Sequence, residues 1–192
     1  MVQIEFENFA GRQPKLIATV RHSDQRGVFS ETYNKNALFE AGIDACFVQD
    51  NHSLSTKESI VRGLHFQLNP KAQAKLLRVL RGAILDVVVD IRSGSPTFGH
   101  YASQCISAEN WDQVWVPVGY AHGFCTLEPN TEVAYKVTKY YDASFERGVL
   151  WNDPGLAIDW PAQEAEVILS DKDRAWPPLR DAQKYFDFVD CG

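Results

Sequence analysis

The chain is dominated by short hydrophobic runs in which apolar and polar residues often alternate. Alternation over four to eight residues is typical of half-buried β-strands. Clusters of Gly, Pro, Asn and Asp separate many of the runs and are typical of turns. The predicted strands are 15–20, 28–34, 46–53, 60–67, 75–81, 84–91, 100–107, 113–117, 123–127 and 132–141. Short strands at intervals of about 8–12 residues predict an all-β sandwich or barrel.

One short helix is predicted near the start of the chain. Asn34 is suited to cap it, residues 36–40 form its body, and Gly42 ends it. The tail from about residue 161 is rich in Pro, Asp and Trp, which predicts irregular structure or short helices. The sequence contains no repeat or linker, and 192 residues suit one domain, so we expect a single domain over 1–192.

Strand alternation places three reactive side chains on faces that otherwise carry small or apolar residues. These are His65, Lys75 and Tyr135, whereas Arg62 falls on the face opposite to His65. A barrel interior with such residues is either a satisfied polar core or a ligand pocket. A buried lysine without a partner is costly, which favours a pocket if Lys75 points inward.

Composition excludes several classes of function. Hydrophobic residues make up 45% and charged residues 23% of the chain, which is typical of a globular protein. The net charge of −6 and the absence of a basic block argue against nucleic-acid and anionic-membrane partners. No run approaches a membrane span, and the acidic N-terminal residues do not resemble a signal peptide.

Four cysteines, at 46, 105, 125 and 191, form no CxxC pair and no zinc-site spacing. We interpret them as reduced thiols of a cytoplasmic protein. A nucleophilic pair of His122 and Cys125 is disfavoured, because three residues apart on a strand the two side chains face opposite ways. Metal-binding barrels of the cupin type carry a His-x-His pair, but here Gln67 follows His65 at that spacing, which argues for a metal-free barrel.

The charged candidates are ambiguous on local evidence alone. Arg26 and Arg62 each precede a glycine, so each guanidinium suits either a phosphate or a solvated turn. Asp173 follows Ser170-Asp-Lys and could orient a distant imidazole, although by itself this stretch indicates a turn or helix cap.

Seven segments, in order, resemble the dTDP-4-dehydrorhamnose 3,5-epimerase family. They are FVQDNHS (47–53), VRGLHFQ (61–67), AKLLRV (74–79), LDVVVDIR (85–92), SPTFG (95–99), PVGYAHGF (117–124) and YKVTKYY (135–141). The match extends from about Arg26 to Asp173. The resemblance implies a cupin-type jelly-roll β-barrel with short peripheral helices, usually a homodimer, that needs no metal and no cofactor.

The resemblance also implies roles for individual residues. His65 matches the catalytic base, Tyr135 the acid, Lys75 the group that stabilises the enolate, and Asp173 the carboxylate that orients His65. The implied contacts with the dTDP-sugar are Arg26, Phe29, Glu31, Gln49, Asn51, Arg62, His122 and Tyr141.

The implied reaction inverts C3 and C5 of dTDP-4-keto-6-deoxy-D-glucose on the route to dTDP-L-rhamnose. Both carbons flank the C4 carbonyl, so removal of either proton gives an enolate. Its formation needs a base and a cation at O4, and inversion needs an acid on the opposite face. The alternatives are an epimerase for one centre of a related nucleotide 4-keto sugar, a non-catalytic sugar-binding cupin, and a metal-dependent cupin oxygenase.

Overall fold

The computed structural model describes residues 2–5, 9–182 and 184–189. Most of the strands are those that the hydrophobic pattern predicts. They are β1 (Val2–Glu5), β2 (Lys15–Ala18), β3 (His22–Asp24), β4 (Gly27–Phe29), β5 (Gln49–Ser55), β6 (Val61–Gln67), β7 (Lys75–Arg81), β8 (Ala83–Asp90), β9 (Arg92–Ser93), β10 (Tyr101–Ser107), β11 (Gln113–Val116), β12 (Tyr120–Thr126), β13 (Thr131–Val137), β14 (Glu146–Gly148) and β15 (Phe186–Asp187).

Two antiparallel sheets form the body of the fold. One contains six strands in the order β1-β2-β11-β7-β13-β5, and the other contains five in the order β10-β8-β12-β6-β14. Two small pairs, β3 with β4 and β9 with β15, lie outside them. Neighbours within each sheet are mostly distant in sequence, as in a jelly roll, so the predicted all-β jelly-roll fold is confirmed.

The helices are short and peripheral. Helix α1 (Lys35–Glu40) begins where predicted, because the Asn34 side chain accepts hydrogen bonds from the backbone N–H groups of Asn36 and Ala37. The tail contains helix α2 (Asp171–Arg174) and a 3₁₀ helix (Leu179–Asp181) within otherwise irregular chain, also as predicted.

Apolar side chains of the two sheets pack against one another in the space between the sheets. A cavity lies beside this apolar core. The central cluster joins β7, β11 and β13 of the first sheet to β8, β10 and β12 of the second. Helix α1 covers part of the outer face of the first sheet through Leu38. The C-terminal segment covers the second sheet through Val149, Leu156 and Phe186. Burial on both faces of the sheets therefore fixes the walls of the cavity.

Two strand predictions overshoot the observed strands most. The predicted strand 28–34 retains only its first two residues, in β4, because Asn34 turns to cap α1. The predicted strand 132–141 stops at Val137. Beyond it, the backbone N–H of Tyr141 donates to the Gln49 side chain rather than to a neighbouring strand. This hydrogen bond to the Gln49 side chain takes the place of a backbone hydrogen bond between strands, so the segment is a loop.

A β-bulge in β6 changes which side chains face the cavity. His65 pairs with His122 of β12, whereas Arg62 pairs with Phe124, so two residues of β6 oppose Gly123 alone. The extra residue interrupts strict alternation. Arg62 and His65 consequently line the same cavity, although alternation places them on opposite faces.

Replacement of Gly63 in this bulge by alanine is expected to lower the free energy of unfolding by about 3 kcal/mol. Gly63 has φ of +138°, and an added Cβ would lie 2.5 Å from the Gly123 Cα. The matched control is Gly94→Ala, at φ of +83° with open space around the added Cβ, for which we expect a loss of about 1 kcal/mol. Urea denaturation of both variants measures the difference, and equal losses would contradict the steric argument.

Three of the four cysteines lie within the described residues, where Cys46, Cys105 and Cys125 are free thiols; Cys191 lies outside them. Cys125 is buried on the side of β12 away from His122, in a cluster with Val61 and Trp151. Burial raises the pKa of its thiol to about 11, which suits an apolar packing residue and not a nucleophile. Among residues 2–5, 9–182 and 184–189, no helix has the length and hydropathy to span a membrane.

Candidate active site

A cavity of about 650 Å³ opens between the two sheets. A smaller lobe of about 300 Å³ adjoins it and shares His65, Lys75, Tyr135, Tyr141 and Glu146 with it. The combined space is in the range of cavities that hold small-molecule ligands. The main cavity is lined by Ser53, Ile60, Val61, Arg62, His65, Lys75, Leu77, His122, Phe124, Tyr135, Tyr141, Glu146, Ile168, Leu169, Ser170, Lys172 and Asp173.

His65 and Asp173 form a hydrogen-bonded pair on the wall made by β6. The distance from His65 Nε2 to Asp173 Oδ1 is 2.5 Å, and the Asp173 side chain is buried. Burial raises the pKa of this carboxyl, but the hydrogen bond from His65 outweighs that effect and holds the pKa below its usual value. An ionised Asp173 accepts the Nε2 proton of a neutral imidazole, which leaves Nδ1 as a proton acceptor.

Helix α2 places Asp173 for this contact. Ser170 caps the helix by accepting a hydrogen bond of 3.2 Å from the Asp173 backbone N–H. From the first turn of α2, the Asp173 carboxylate therefore points toward His65. The stretch is a helix cap, as its local sequence indicates, and it also carries the partner of the histidine.

Lys75 and Tyr135 lie on the opposite wall, in the six-stranded sheet. Tyr135 of β13 pairs with Leu77 of β7, so Lys75, two residues away on the same face, is its diagonal neighbour. Burial lowers the pKa of Lys75 to about 8, against the attraction of the Asp86 and Glu146 carboxylates. Burial also raises the pKa of Tyr135, so its phenol stays protonated at neutral pH.

The exposed Arg62 and the buried His122 also line the main cavity. Arg62 is held by hydrogen bonds from Nε to Ser55 Oγ, at 3.2 Å, and from Nη2 to the Leu54 carbonyl, at 3.4 Å. These bonds leave the rest of the guanidinium available to an anion. The buried His122 ring is held by Asp86, with 2.7 Å between Nε2 and Oδ2.

Gln49, Asn51 and Tyr141 lie at the smaller lobe. Gln49 donates to Asn51 Oδ1 at 2.8 Å and accepts from the Tyr141 backbone at 3.0 Å, so one amide joins strand β5 to the loop after β13. The Tyr141 side chain is 53% exposed and lies at the mouth of the cavity. A flat aromatic group in this position can pack against a planar ligand.

Arg26, Phe29 and Glu31 are not among the described residues that line this cavity. Arg26 and Phe29 belong to the exposed region of the β3–β4 hairpin, where Arg26 pairs with Asp24 at 2.6 Å and Phe29 is 70% exposed. Glu31 follows on the exposed segment that leads to α1. In the described structure, these three predicted contacts therefore form no part of the cavity of their own chain.

Two charged residues of the cavity, Glu146 and Lys172, were not among the predicted site residues. Glu146 accepts hydrogen bonds from the Tyr141 hydroxyl, at 2.9 Å, and from Lys172 Nζ, at 2.8 Å. Burial raises the Glu146 pKa, but these donors outweigh it and keep the pKa below its usual value. Glu146 begins the three-residue strand β14, which is too short to give a periodic signal, whereas Lys172 stands beside Asp173 and could have been considered with it.

The family model described as dTDP-4-dehydrorhamnose 3,5-epimerase matches residues 12–181. The chain belongs to this epimerase family. Among curated proteins, the dTDP-4-dehydrorhamnose 3,5-epimerase of Sinorhizobium fredii is 45% identical over 187 residues, which cover 97% of this chain and 95% of that protein. The predicted family is thereby confirmed.

Solved structures of epimerases agree with the fold. The dTDP-4-dehydrorhamnose 3,5-epimerase of Bacillus anthracis, with TDP and PPi bound, is 53% identical, with a TM-score of 0.84 over 86% of this chain and 93% of that one. The dTDP-6-deoxy-D-glucose-3,5-epimerase of Legionella pneumophila, in complex with dTDP-4-keto-L-rhamnose, is 41% identical, with a TM-score of 0.87 over 95% and 98% of the two chains. The chain is therefore an isomerase of the 3,5-epimerase family.

The side chains that could bind a metal ion bear on the prediction that the protein needs no metal. Within the described part of the chain, no group of three or more His, Cys, Asp or Glu side chains is placed to hold a metal ion. Gln67, which stands where a metal-binding cupin has a second histidine, donates to the Lys71 carbonyl at 2.7 Å and accepts from the Asp142 backbone at 2.7 Å. Independence from metals stays a prediction that rests on these residues.

Proposed function

We propose that the cavity is the active site of an epimerase that inverts C3 and C5 of dTDP-4-keto-6-deoxy-D-glucose to give dTDP-4-keto-L-rhamnose. The observation that carries the proposal is the position of the two proton-transfer groups. His65 belongs to the five-stranded sheet, and Tyr135 belongs to the six-stranded sheet that faces it. A flat enolate held between the sheets presents one face to each residue, as inversion requires.

The residues have complementary roles in each half-reaction. The neutral imidazole of His65 removes the proton from C3 or C5, and ionised Asp173 stabilises the imidazolium that forms. Negative charge then develops on O4, where the Lys75 ammonium stabilises it. The Tyr135 phenol returns a proton to the other face, because its raised pKa keeps it protonated. The same residues serve both carbons, since each flanks the same carbonyl group.

The dTDP group is proposed to lie toward the mouth of the cavity. Arg62 contacts the diphosphate, Tyr141 packs against the thymine, and Gln49, Asn51 and His122 contact the rest of the nucleotide sugar. Their distribution around the two lobes supports this orientation. Glu146 and Lys172 add a charged pair at the same mouth.

Replacement of Arg62 by alanine is expected to weaken dTDP binding by about 1.5–3 kcal/mol, the scale of a hydrogen bond to a charged group. Isothermal titration calorimetry with dTDP measures the change. The matched control is Arg180→Ala, because this 79% exposed arginine lies on the 3₁₀ helix and does not line the cavity. Unchanged affinity in Arg62→Ala would exclude Arg62 as a phosphate ligand.

A homodimer would give the exposed hairpin a role. In a dimer that seats the β3–β4 hairpin of one copy over the cavity of the other, Arg26, Phe29 and Glu31 become substrate contacts. The exposed Val28 and Phe29 support this proposal, since exposed apolar side chains often mark interaction sites.

The cytoplasm remains the predicted location, because the cysteines at 46, 105 and 125 are free.

Proton NMR of dTDP-4-keto-6-deoxyglucose in heavy water tests the function directly. The expected result is loss of the H3 and H5 signals with inversion at both carbons. Exchange and inversion at one carbon alone would favour the alternative, an epimerase of a single centre. Binding without any exchange would indicate a non-catalytic sugar-binding protein and reject the proposal.

A further inference from the structure

His65 has one paired residue on each neighbouring strand of the five-stranded sheet. On β12 it pairs with His122, and on β14 it pairs with Gly148. Residues paired across antiparallel strands point to the same face of the sheet. Because residue 148 is a glycine, the β14 side of His65 carries no side chain of its own on that face.

The indole of Trp176 fills this place. A Cβ at residue 148 would lie 2.5 Å from Trp176 Nε1 and 2.6 Å from both Cδ1 and Cε2. All three atoms belong to the five-membered ring, and their nearly equal distances show that this ring lies flat over Gly148. Gly148 is not among the glycines with positive φ. Close approach of the indole, and not backbone conformation, therefore requires glycine here.

The same indole contacts the proposed base. The ring centroids of Trp176 and His65 are 6.4 Å apart, with 71° between the ring planes, which is an edge-to-face arrangement. Leu64 and Val149 exchange both of their backbone hydrogen bonds, so His65 and Gly148 form the next pair, the closer type without hydrogen bonds. In the described structure, Trp176 lines neither lobe of the cavity. It therefore contacts the base from outside the space for the substrate.

Trp176 also belongs to the segment that carries the partner of the base. It follows Asp173, whose carboxylate bonds to His65 Nε2, by three residues. The carbonyl of the next residue, Pro177, accepts a hydrogen bond of 2.9 Å from the backbone N–H of Leu150, just after β14. The end of helix α2 is thus held against β14 at Trp176 and Pro177.

The indole N–H does not explain the choice of tryptophan. The Nε1 atom of Trp176 is buried and has no hydrogen-bond partner among the described residues. A buried N–H group without a partner is costly. The size and position of the ring therefore account for this residue better than its polar group does.

We infer, on the basis of the function proposed above, that Trp176 is a positioning residue for epimerisation: packed on Gly148, its indole holds the His65 ring in line with Asp173. A histidine base needs a fixed tautomer and a fixed ring orientation. The hydrogen bond to Asp173 selects the tautomer, but a single hydrogen bond lets the ring swing about it. The indole closes the β14 side of the ring and limits this movement.

NMR of the unliganded protein labelled with ¹⁵N-histidine tests the positioning without substrate. The chemical shifts of the two ring nitrogens give the tautomer, and His65→Asn assigns the signals. At about pH 8, where an ordinary imidazole is neutral, His65 of the wild type should carry its proton on Nε2. In Trp176→Ala, we expect at least about a tenth of the rings to carry it on Nδ1, because the ring no longer keeps one orientation.

Kinetics of epimerisation test the consequence for the reaction. Trp176→Ala should lower kcat by about 10- to 100-fold, the effect of a misplaced catalytic group. KM should change less than about threefold, because Trp176 lies outside the cavity. Trp176→Phe keeps an aromatic ring over Gly148, so it should retain most of kcat and the single tautomer. The matched control is Trp111→Ala, since Trp111 is also partly exposed and does not line the cavity; it should behave like the wild type.

Gly148→Ala tests the same contact from the other strand. The added methyl group should displace the indole and lower kcat as Trp176→Ala does. In the Trp176→Ala background, the three closest contacts of this methyl group are absent, so the same change should have little further effect. Effects of the two substitutions that multiply in the double variant would contradict a shared role.

The tautomer and the rate can fail separately. If Trp176→Ala does not fold, Trp176→Leu removes the ring and keeps more apolar volume. A folded variant without the ring that retains both the wild-type kcat and the single His65 tautomer would overturn the role of Trp176 alone, even if the variant is less stable. A wild-type protein with a single His65 tautomer that is lost in Trp176→Ala, but with no epimerisation, would contradict the proposed function and support the positioning.

Discussion

Replacement of His65 by asparagine is expected to lower kcat by about 10³-fold or more, because the reaction loses the base that starts both half-reactions. Asparagine is polar and similar in size, but it cannot accept a proton at neutral pH. Both deuterium exchange and inversion should stop together, since no other route leads to the enolate. Proton NMR in heavy water follows the two processes in one sample.

The chain offers a matched control on the outside of the barrel. His52 pairs with Glu132 at 3.0 Å, so it is also a histidine bound to a carboxylate, but it does not line the cavity. His52→Asn should retain wild-type kcat. Asp173→Asn should be impaired less than His65→Asn, because the imidazole remains but is poorly oriented. Normal exchange in His65→Asn would remove the basis of the whole mechanism.

Alternation of side chains predicts the walls of the cavity well. It places Lys75 and Tyr135 on inward faces, and both contribute to the cavity. It fails at Arg62, because the bulge opposite Gly123 adds a residue that no local pattern of apolar and polar positions reveals. The family resemblance places Arg62 in the site where alternation does not.

The contact between His65 and Asp173 could not be predicted from periodicity either. The two residues are 108 positions apart, and the short segment that carries Asp173 has the local sequence of a capped turn. Its second role depends on where the C-terminal chain packs against β6, which is a property of the tertiary fold. Glu146 is a similar case, since its place beside Lys172 follows from the pairing of the short strand β14 with β6.

The predicted substrate contacts on and after the β3–β4 hairpin could not be related to the cavity for a different reason. The resemblance groups Arg26, Phe29 and Glu31 with the substrate contacts, whereas within one chain they lie on an exposed arm. Neither local pattern nor the fold of a single copy connects them with the cavity. Their proposed role as substrate contacts stays a prediction that depends on the predicted homodimer.

Tyr135→Phe is expected to separate exchange from inversion. Phenylalanine keeps the ring and its packing but loses the hydroxyl, so His65 can still remove the proton from C3 or C5. The base then returns solvent deuterium to the face from which the proton left, and the configuration is retained. We expect net inversion to fall by about 10²–10³-fold, while exchange is reduced much less.

NMR of the recovered dTDP-4-keto sugar after reaction in heavy water distinguishes these outcomes. Deuterium at C3 or C5 with unchanged configuration is the expected signature of a missing acid. The matched control is Tyr140→Phe, because Tyr140 is 64% exposed and does not line the cavity; it should invert like the wild type. If Tyr135→Phe also inverts at the wild-type rate, a water molecule or another side chain donates the second proton. Tyr135 of the six-stranded sheet would then not be the acid, and the assignment of base and acid to opposite walls of the barrel would be wrong.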